Sequence, residues 1–296
     1  MSPKKAHKNP LKKPRLSLRR GEKVSTGLRS IAILQLKAAL AELRGNNVSP
    51  EPVHNARTSI KKVRSIIQLA APALGRVRRE YLLELLHEAS SRLAPLRDSE
   101  VQVQTLDLAL ETANLPSEPF ASLRSGLADI AKQRRANDWR QIPRVMGFLE
   151  KALKSVPDWP LDPLGGKDLR RRIRRTYRRG RTTLDLCMEN DDLANFHTWR
   201  KLAKQLGYQL RITARFWSDS AGHLLTGINE IGEIAGQERD LTLLIQTMKQ
   251  GPKTHASEEV IRIIEGLLPK LRQQALLEGT RFYEAKPKLF VESLDL

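Results

Sequence analysis

Residues 53–64 have the sequence VHNARTSIKKVR, and residues 196–207 have the sequence FHTWRKLAKQLG. Both segments follow one pattern: an apolar residue, His, two residues, Arg, three residues, Lys, one residue and a second apolar residue. The second copy begins 143 residues after the first, about half of the 296-residue chain. The pattern therefore indicates an internal duplication, and its spacing is helical.

Each copy predicts one amphipathic helix. Since each helical residue advances by about 100°, the polar residues of a copy share a stripe about 80° wide, and the apolar residues point elsewhere. The stripes are candidate functional surfaces. The first stripe holds His54, Arg57, Lys61, Arg64 and Gln68, and the second holds His197, Arg200, Lys204, Gly207, Arg211 and Arg215.

The rest of the chain predicts further helices. An apolar content of 40% fits a globular protein, and no alternating strand pattern appears. We therefore predict an all-α protein that is internally duplicated. Its parts are a disordered basic tail (1–20), a first helical half (21–156), a linker rich in Pro and Gly (157–166) and a second helical half (167–296).

Several classes of protein are excluded by composition. No apolar run approaches the roughly 18 residues that a membrane span needs, and the N-terminus lacks the apolar core of a signal peptide, so we expect a cytoplasmic protein without a membrane partner. The single Cys187 excludes an intramolecular disulfide and a metal site of several cysteines.

The net charge of +19 is concentrated in four segments. Residues 1–20 carry eight Lys and Arg and no acid, and residues 167–181 carry one Lys and eight Arg against Asp168. The helices over residues 53–69 and 196–217 contribute +4 and +5, so the remaining chain has a net charge of −6. Such concentration is typical of a polyanion site.

The residue types of the stripes suit phosphate. Arg offers a planar fork for bidentate binding, and Lys adds a compact charge. From His54 to Gln68 the helix rises about 21 Å, which fits a row of phosphates better than one mononucleotide. His54 and His197 lie near helix N-termini, where the dipole disfavours imidazolium, so we expect neutral rings that donate to phosphate. The same position also suits a histidine that caps or packs at a helix end.

The arginine run over residues 167–181 is the second basic feature. Such a run is usually a solvated helix face, but here few acids relieve the repulsion among neighbouring arginines. We therefore predict that Arg171, Arg174, Arg175 and Arg178 bind the same polyanion, in one groove with both stripes. A solvated face remains the alternative.

Two Arg-Asp pairs recur at a similar offset: Arg97-Asp98 and Arg239-Asp240. Each Asp either holds a stripe Arg in position or forms an ordinary salt bridge at a helix start. Taken alone, the pairs favour the second interpretation.

Catalysis finds little support in the motifs. The glycine pairs lack phosphate-loop spacing, no Ser or Cys lies in a nucleophile motif, and the other histidines show no metal-ligand spacing. The stripes also lack the clustered carboxylates that would hold Mg²⁺ for phosphoryl chemistry. We expect a non-enzymatic protein without a cofactor or a metal.

With the two His-x-x-Arg-x-x-x-Lys helices and the Arg-Asp pairs, the chain resembles the CHAD family, the conserved histidine α-helical domain, over roughly residues 21–290. The resemblance implies two four-helix-type bundles related by a pseudo-twofold axis. It also implies a basic channel between the bundles that binds inorganic polyphosphate, and association with polyphosphate granules. The matching positions are His54, Arg57, Lys61, Lys62, Arg64, His197, Arg200 and Lys204.

The chain departs from the family in two respects. Many relatives also carry a CYTH-type triphosphatase domain, for which this chain has no room, so the resemblance implies binding alone. Gln205 and Gly207 stand where relatives have basic residues before the tyrosine, here Tyr208. We therefore expect an asymmetric groove, which Arg211 and Arg215 extend.

The alternative function is that of a nucleic-acid-binding or nucleoid-associated protein. In that case the basic tail and the arginine run would hold backbone phosphates. Phe196, Trp199 and Trp217 fall off the stripe, however, so no platform for base stacking is evident.

Overall fold

The computed structural model describes residues 14–45, 50–190, 192–217 and 222–294. No strand occurs in these ranges, so the prediction of an all-α fold is confirmed. Short 3-10 turns lie at Glu118–Phe120, Trp139–Gln141, Val156–Asp158 and Ala214–Phe216. The α-helices are α1 (Val24–Leu43), α2 (Pro50–Leu69), α3 (Ala71–Leu74), α4 (Arg76–Arg92), α5 (Ala94–Thr112), α6 (Ala121–Asp138), α7 (Ile142–Ser155), α8 (Gly166–Glu189), α9 (Leu193–Thr213), α10 (Gly222–Gln250), α11 (His255–Phe282) and α12 (Pro287–Glu292).

The two stripe helices, α2 and α9, lie at the centre of the fold. They pack against each other, α2 also packs against α1, and α9 also packs against α8 and α10. Their apolar faces, including Ile60 and Trp199, are buried in the main core, as the helical periodicity predicts. The main core joins residues of both halves of the chain, so neither half has a main core of its own.

The predicted linker, residues 157–166, connects α7 to α8. Trp159 and Leu161 within it are buried in the main core, because removing their large apolar surfaces from water lowers the free energy of the fold. The proposed division of the chain at this segment stays a prediction.

A second, smaller core lies between α5, α6, α10 and α11. Leu106, Leu127, Leu244 and Ile264 are buried in it. On both α5 and α10 the Arg-Asp pair precedes the residues of this core, so the same two helices also place the pairs beside the stripes.

The helix α10 is longer than the sequence predicted. The apolar spacing of residues 224–234 predicts a helix that ends before the Arg-Asp pair, but α10 continues without a break to Gln250. The sequence predicts that Asp191 or Asp192 caps the start of α9, and the carboxylate of Asp192 accepts a hydrogen bond from the backbone N–H of Ala194 at 2.9 Å.

Residues 14–20 correct the prediction of a disordered tail over residues 1–20. Leu18 is fully buried, and its backbone N–H donates to the oxygen of Ile212 at 2.9 Å. Arg15 pairs with Glu22 at 2.9 Å. Apolar residues among the basic ones anchor this segment, whereas residues 1–13 lie outside the described residues.

Close packing behind α9 depends on a glycine of α11. A Cβ added at Gly279 would clash with the indole of Trp199, which is buried beside Arg200. Among the helices of the described ranges, none is both long and apolar enough to cross a membrane.

Candidate polyanion site

The stripes of α2 and α9 face each other where these helices pack together. Burial is the largest cause that lowers the pKa of Lys61 on α2, and the charge of Lys204 on α9 is the next. Together with the nearby arginines, they lower the pKa of Lys61 from 10.5 to about 7. The sequence predicted each stripe on its own helix, and the structure brings the two lysines together.

We use the term central cluster for the charged side chains around these two lysines. It consists of Arg57, Lys61, Arg97, Asp98, Arg200, Lys204, Arg239 and Asp240. His54 and His197 lie at its edge, within reach of the same charges.

Lys204 lies across two glycines of α10. A Cβ added at Gly232 would lie 3.8 Å from Cε of Lys204, and one added at Gly236 would lie 3.7 Å from its Nζ. Glycines four residues apart share one face of a helix, so together they leave room for the lysine chain. Burial and then the charge of Arg200 lower the pKa of Lys204, and Asp240 opposes them. The sequence reasoning missed both glycines, although their spacing was a usable signal.

The two stripe arginines differ in their hydrogen bonds. Nη1 of Arg57 donates to the backbone oxygen of Ser90 at 2.7 Å. Nε of Arg200 is buried without a hydrogen-bond partner. Burial is the largest cause that lowers the pKa of each guanidinium. Arg200 therefore has a donor that an anionic ligand could satisfy.

Both stripe histidines have a lowered pKa. Burial is the first cause for each ring; the charge of Arg97 follows for His54, whereas for His197 the carboxylate of Glu238 opposes the effect. Nδ1 of His197 is buried without a hydrogen-bond partner. The lowered pKa values keep both rings neutral at pH 7, and their role toward phosphate stays a prediction.

The acids of the Arg-Asp pairs act on the stripes. The charge of Asp98 raises the pKa of Arg57 against the effect of burial, and Asp240 does the same for Arg200. Asp240 is itself partly buried, which raises the pKa of its carboxyl. The interpretation of a salt bridge at a helix start is wrong for Arg239-Asp240, because the pair lies in the middle of α10.

Positive charge exceeds negative charge in the central cluster. Six of its members are Lys or Arg and two are Asp. A nearby third acid, Glu238, is fully buried and pairs with Arg272 at 3.0 Å. Within the described part of the chain, the ammonium groups of Lys61 and Lys204 form neither an ion pair nor a hydrogen bond with protein groups. The positively charged side chains of the cluster therefore repel one another, and a bound anion would reduce this repulsion.

The continuations of the two stripes differ. Arg64 is exposed on α2, whereas its counterpart Gly207 is buried under α10, where an added Cβ would lie 3.5 Å from Cγ2 of Ile228. Arg211 donates to the side chain of Asn229 at 3.1 Å. Arg215 is exposed on the 3-10 turn after α9, and Lys62 is partly exposed beside Lys61.

A groove of about 540 Å³ lies between α9 and α10. It is lined by Lys204 and Arg211 but also by the carboxylates of Glu233 and Asp240, so its charge is mixed. Tyr208 lines it as well, and burial raises the pKa of its hydroxyl.

A second basic groove, the α8 groove, has a volume of about 470 Å³. Its lining is formed by Lys167 and six arginines of α8 (170, 171, 172, 174, 175 and 178), with Pro72 and Val291. None of these arginines is among the main charges that shift the pKa of Lys61, Lys204 or Arg200. The α8 groove shares no lining residue with the groove between α9 and α10, and Arg172 connects it to Gln68 at the C-terminal end of α2. The expectation that both stripes and the arginine run line one groove therefore stays a prediction.

Metal-binding side chains are not clustered in the described ranges. No group of three or more His, Cys, Asp or Glu that could hold a metal ion occurs there.

Comparisons with known proteins give one family and one fold. The family model described as CHAD domain matches residues 31–275. The crystal structure of the CHAD domain from the plant Ricinus communis is similar with a TM-score of 0.70 and 19% identity, over 94% of this chain and 97% of that chain. PptA from Streptomyces chartreusis is similar with a TM-score of 0.67 and 14% identity, over 89% of this chain and 100% of that chain. No curated protein matches the chain in sequence.

Proposed function

The chain belongs to the CHAD domain family, and from this premise we propose that its central cluster binds inorganic polyphosphate without catalysis. One observation carries the proposal. Two lysines from different helices lie together among four arginines, with the pKa of Lys61 lowered to about 7 and no ion pair to either lysine among the described residues. A folded protein tolerates such repulsion where a ligand offsets it.

A linear phosphate chain fits this arrangement better than a single phosphate. The cations come from four helices, α2, α5, α9 and α10, and the α2 stripe extends from the cluster to Arg64. Arginine forks and lysine ammonium groups bind phosphate oxygens without reading any base.

Nucleic acid is the weaker candidate. Phe196, Trp199 and Trp217 are buried, so none of them offers an exposed ring for base stacking. The basic tail that was expected to hold nucleic acid lies largely in residues 1–13, outside the described part.

The decisive measurement is calorimetry with long-chain polyphosphate, compared with DNA and RNA of equal total charge at one salt concentration. We expect polyphosphate to bind more tightly, with an affinity that falls steeply with salt. Equal or weaker binding of polyphosphate would remove the preference that we propose.

Variants of α9 locate the site. Arg200→Gln removes a cation of the central cluster, and Lys201→Gln removes an exposed cation one residue away on the same helix. We expect the first change to weaken binding by about 2 kcal/mol, the cost of a lost charged hydrogen bond, and the second to have little effect. Equal losses in the two variants would show binding that is not localised to the cluster.

Two further expectations depend on this proposal. Incubation with Mg²⁺ should leave the length of the polymer unchanged, and shortening would revive an enzymatic function. A cytoplasmic protein that binds this polymer should also collect at polyphosphate granules, which fluorescence microscopy of the Arg200→Gln variant can test.

A further inference from the structure

The α8 groove lies at the end of the α2 stripe. Arg172 of α8 donates from Nε to the backbone oxygen of Gln68 at 2.9 Å, and from Nη2 to the side-chain oxygen of Gln68 at 3.3 Å. Gln68 follows Lys61 by seven residues. Its side chain therefore lies within about 20° of Lys61 around α2 and about 10 Å further along the axis. The groove adjoins the same face of α2 that carries Lys61.

Most positive charge in the groove has no acidic partner. Seven Lys and Arg residues line it, and Asp168 pairs with only one of them, Arg171, at 2.8 Å. Nε of Arg170 is buried without a hydrogen-bond partner. Burial first, and then the charges of neighbouring arginines, lower the pKa of Arg172. An anion in the groove would offset this repulsion.

The α9 side of the central cluster offers no comparable path. Gly207 stands there in place of Arg64, and Glu233 and Asp240 line the groove between α9 and α10. Carboxylates repel phosphate oxygens. A phosphate chain that extends beyond the cluster therefore meets cations along α2 and acids along α10.

Resting on polyphosphate binding at the central cluster, we propose that a bound chain continues along α2, past Arg64, into the α8 groove. The groove is a second subsite for chains long enough to reach it. Because the second contact is then intramolecular, a long chain gains affinity that a short one lacks. Tripolyphosphate occupies the central cluster alone and serves as the short probe.

The groove variant combines Arg174→Ala, Arg175→Ala and Arg178→Ala. These three side chains are exposed and make no ion pair in the described structure, so the fold should tolerate their removal. We expect the variant to bind tripolyphosphate within about twofold of the wild type, but long-chain polyphosphate at least roughly tenfold more weakly. The slope of log K against log salt for the long chain should become shallower by about 2, since about three phosphate contacts are lost.

A matched control removes the same charge elsewhere. It combines Lys132→Ala, Arg134→Ala and Arg140→Ala, three exposed cations on α6 and the 3-10 turn after it. Calorimetry with both probes should give wild-type affinities. If the control loses as much long-chain affinity as the groove variant, net charge explains the effect and the second subsite is overturned.

Two other results overturn the inference. Wild-type affinity of the groove variant for long chains means that the groove makes no contact. An equal loss for tripolyphosphate and long chains means that the groove and the cluster are one site. The proposed function fails by a different result, in which Arg200→Gln leaves the binding of both probes unchanged.

Discussion

Lys61→Met should stabilise the free protein, although it removes a charge from the candidate site. The pKa of Lys61 falls from 10.5 to about 7 in the folded state. At about 1.4 kcal/mol for each tenfold change in proton affinity, this fall corresponds to about 5 kcal/mol of unfavourable free energy when the lysine is protonated. Lys61 keeps some contact with water, which reduces this penalty, and the Met side chain does not pack as the lysine chain does. We therefore expect the free energy of unfolding to rise by about 2 kcal/mol.

The dependence of stability on pH gives the sign of the effect. Below pH 7 both states bind the proton, and the folded state carries the full penalty. Between pH 7 and 10.5 the unfolded state binds more protons than the folded state, so the free energy of unfolding rises with pH. Above this range both states are neutral and the penalty is gone.

Urea denaturation at pH 6 and pH 9 measures this prediction. Lys61→Met should be more stable than the wild type at pH 6, and the difference should shrink at pH 9. Lys201→Met, an exposed change on α9, is the control and should leave stability nearly unchanged at both pH values. A variant less stable than the wild type at pH 6, or a difference that does not change with pH, would refute the reasoning.

Three more predictions concern packing, a buried ion pair and proton uptake. Gly279→Ala should lower the free energy of unfolding by about 1–3 kcal/mol, because its Cβ meets a buried indole. Gly126→Ala, with open space around it, should raise the free energy of unfolding by about 0.5–1 kcal/mol, and urea denaturation measures both. Arg272→Met leaves Glu238 buried without its ion-pair partner and should cost about 3–5 kcal/mol of unfolding free energy by the same assay. A loss near zero would contradict the pairing. Polyphosphate binding should weaken from pH 6 to pH 9 as Lys61 loses its proton, with proton uptake near pH 7 in calorimetry; the same affinity at both pH values would count against the lysine.

The sequence predicted the elements that local periodicity controls. Apolar residues such as Ile60 recur at helical spacing because one face of α2 is buried, so the helix and its stripe follow from the sequence alone. The length of α10 did not follow. Gly232 and Gly236 have low helix propensity, but tertiary packing keeps them helical. Because glycine has no side chain, the side chain of Lys204 can lie against this face of α10.

Relations between helices were harder to predict. A repeated motif fixes each stripe on its own helix, but it does not fix how α2 and α9 turn toward each other, so the approach of Lys61 and Lys204 required the structure. The same limit applies to the arginines of α8, because the sequence could not show that they line a groove at the C-terminal end of α2. The chain positions of Arg172 and Gln68 gave no sign that a hydrogen bond joins the two residues.

The two apolar cores have a consequence for how the protein responds to its ligand. The small core of α5, α6, α10 and α11 is distinct from the main core, so we expect it to open as a cooperative unit while the main core stays closed. Its helices carry Arg97 and Arg239 into the central cluster. A ligand that contacts both these arginines and the stripes makes it less favourable for the small core to open separately from the main core. Amide hydrogen exchange in α6 should therefore slow on binding, although no residue of α6 belongs to the central cluster.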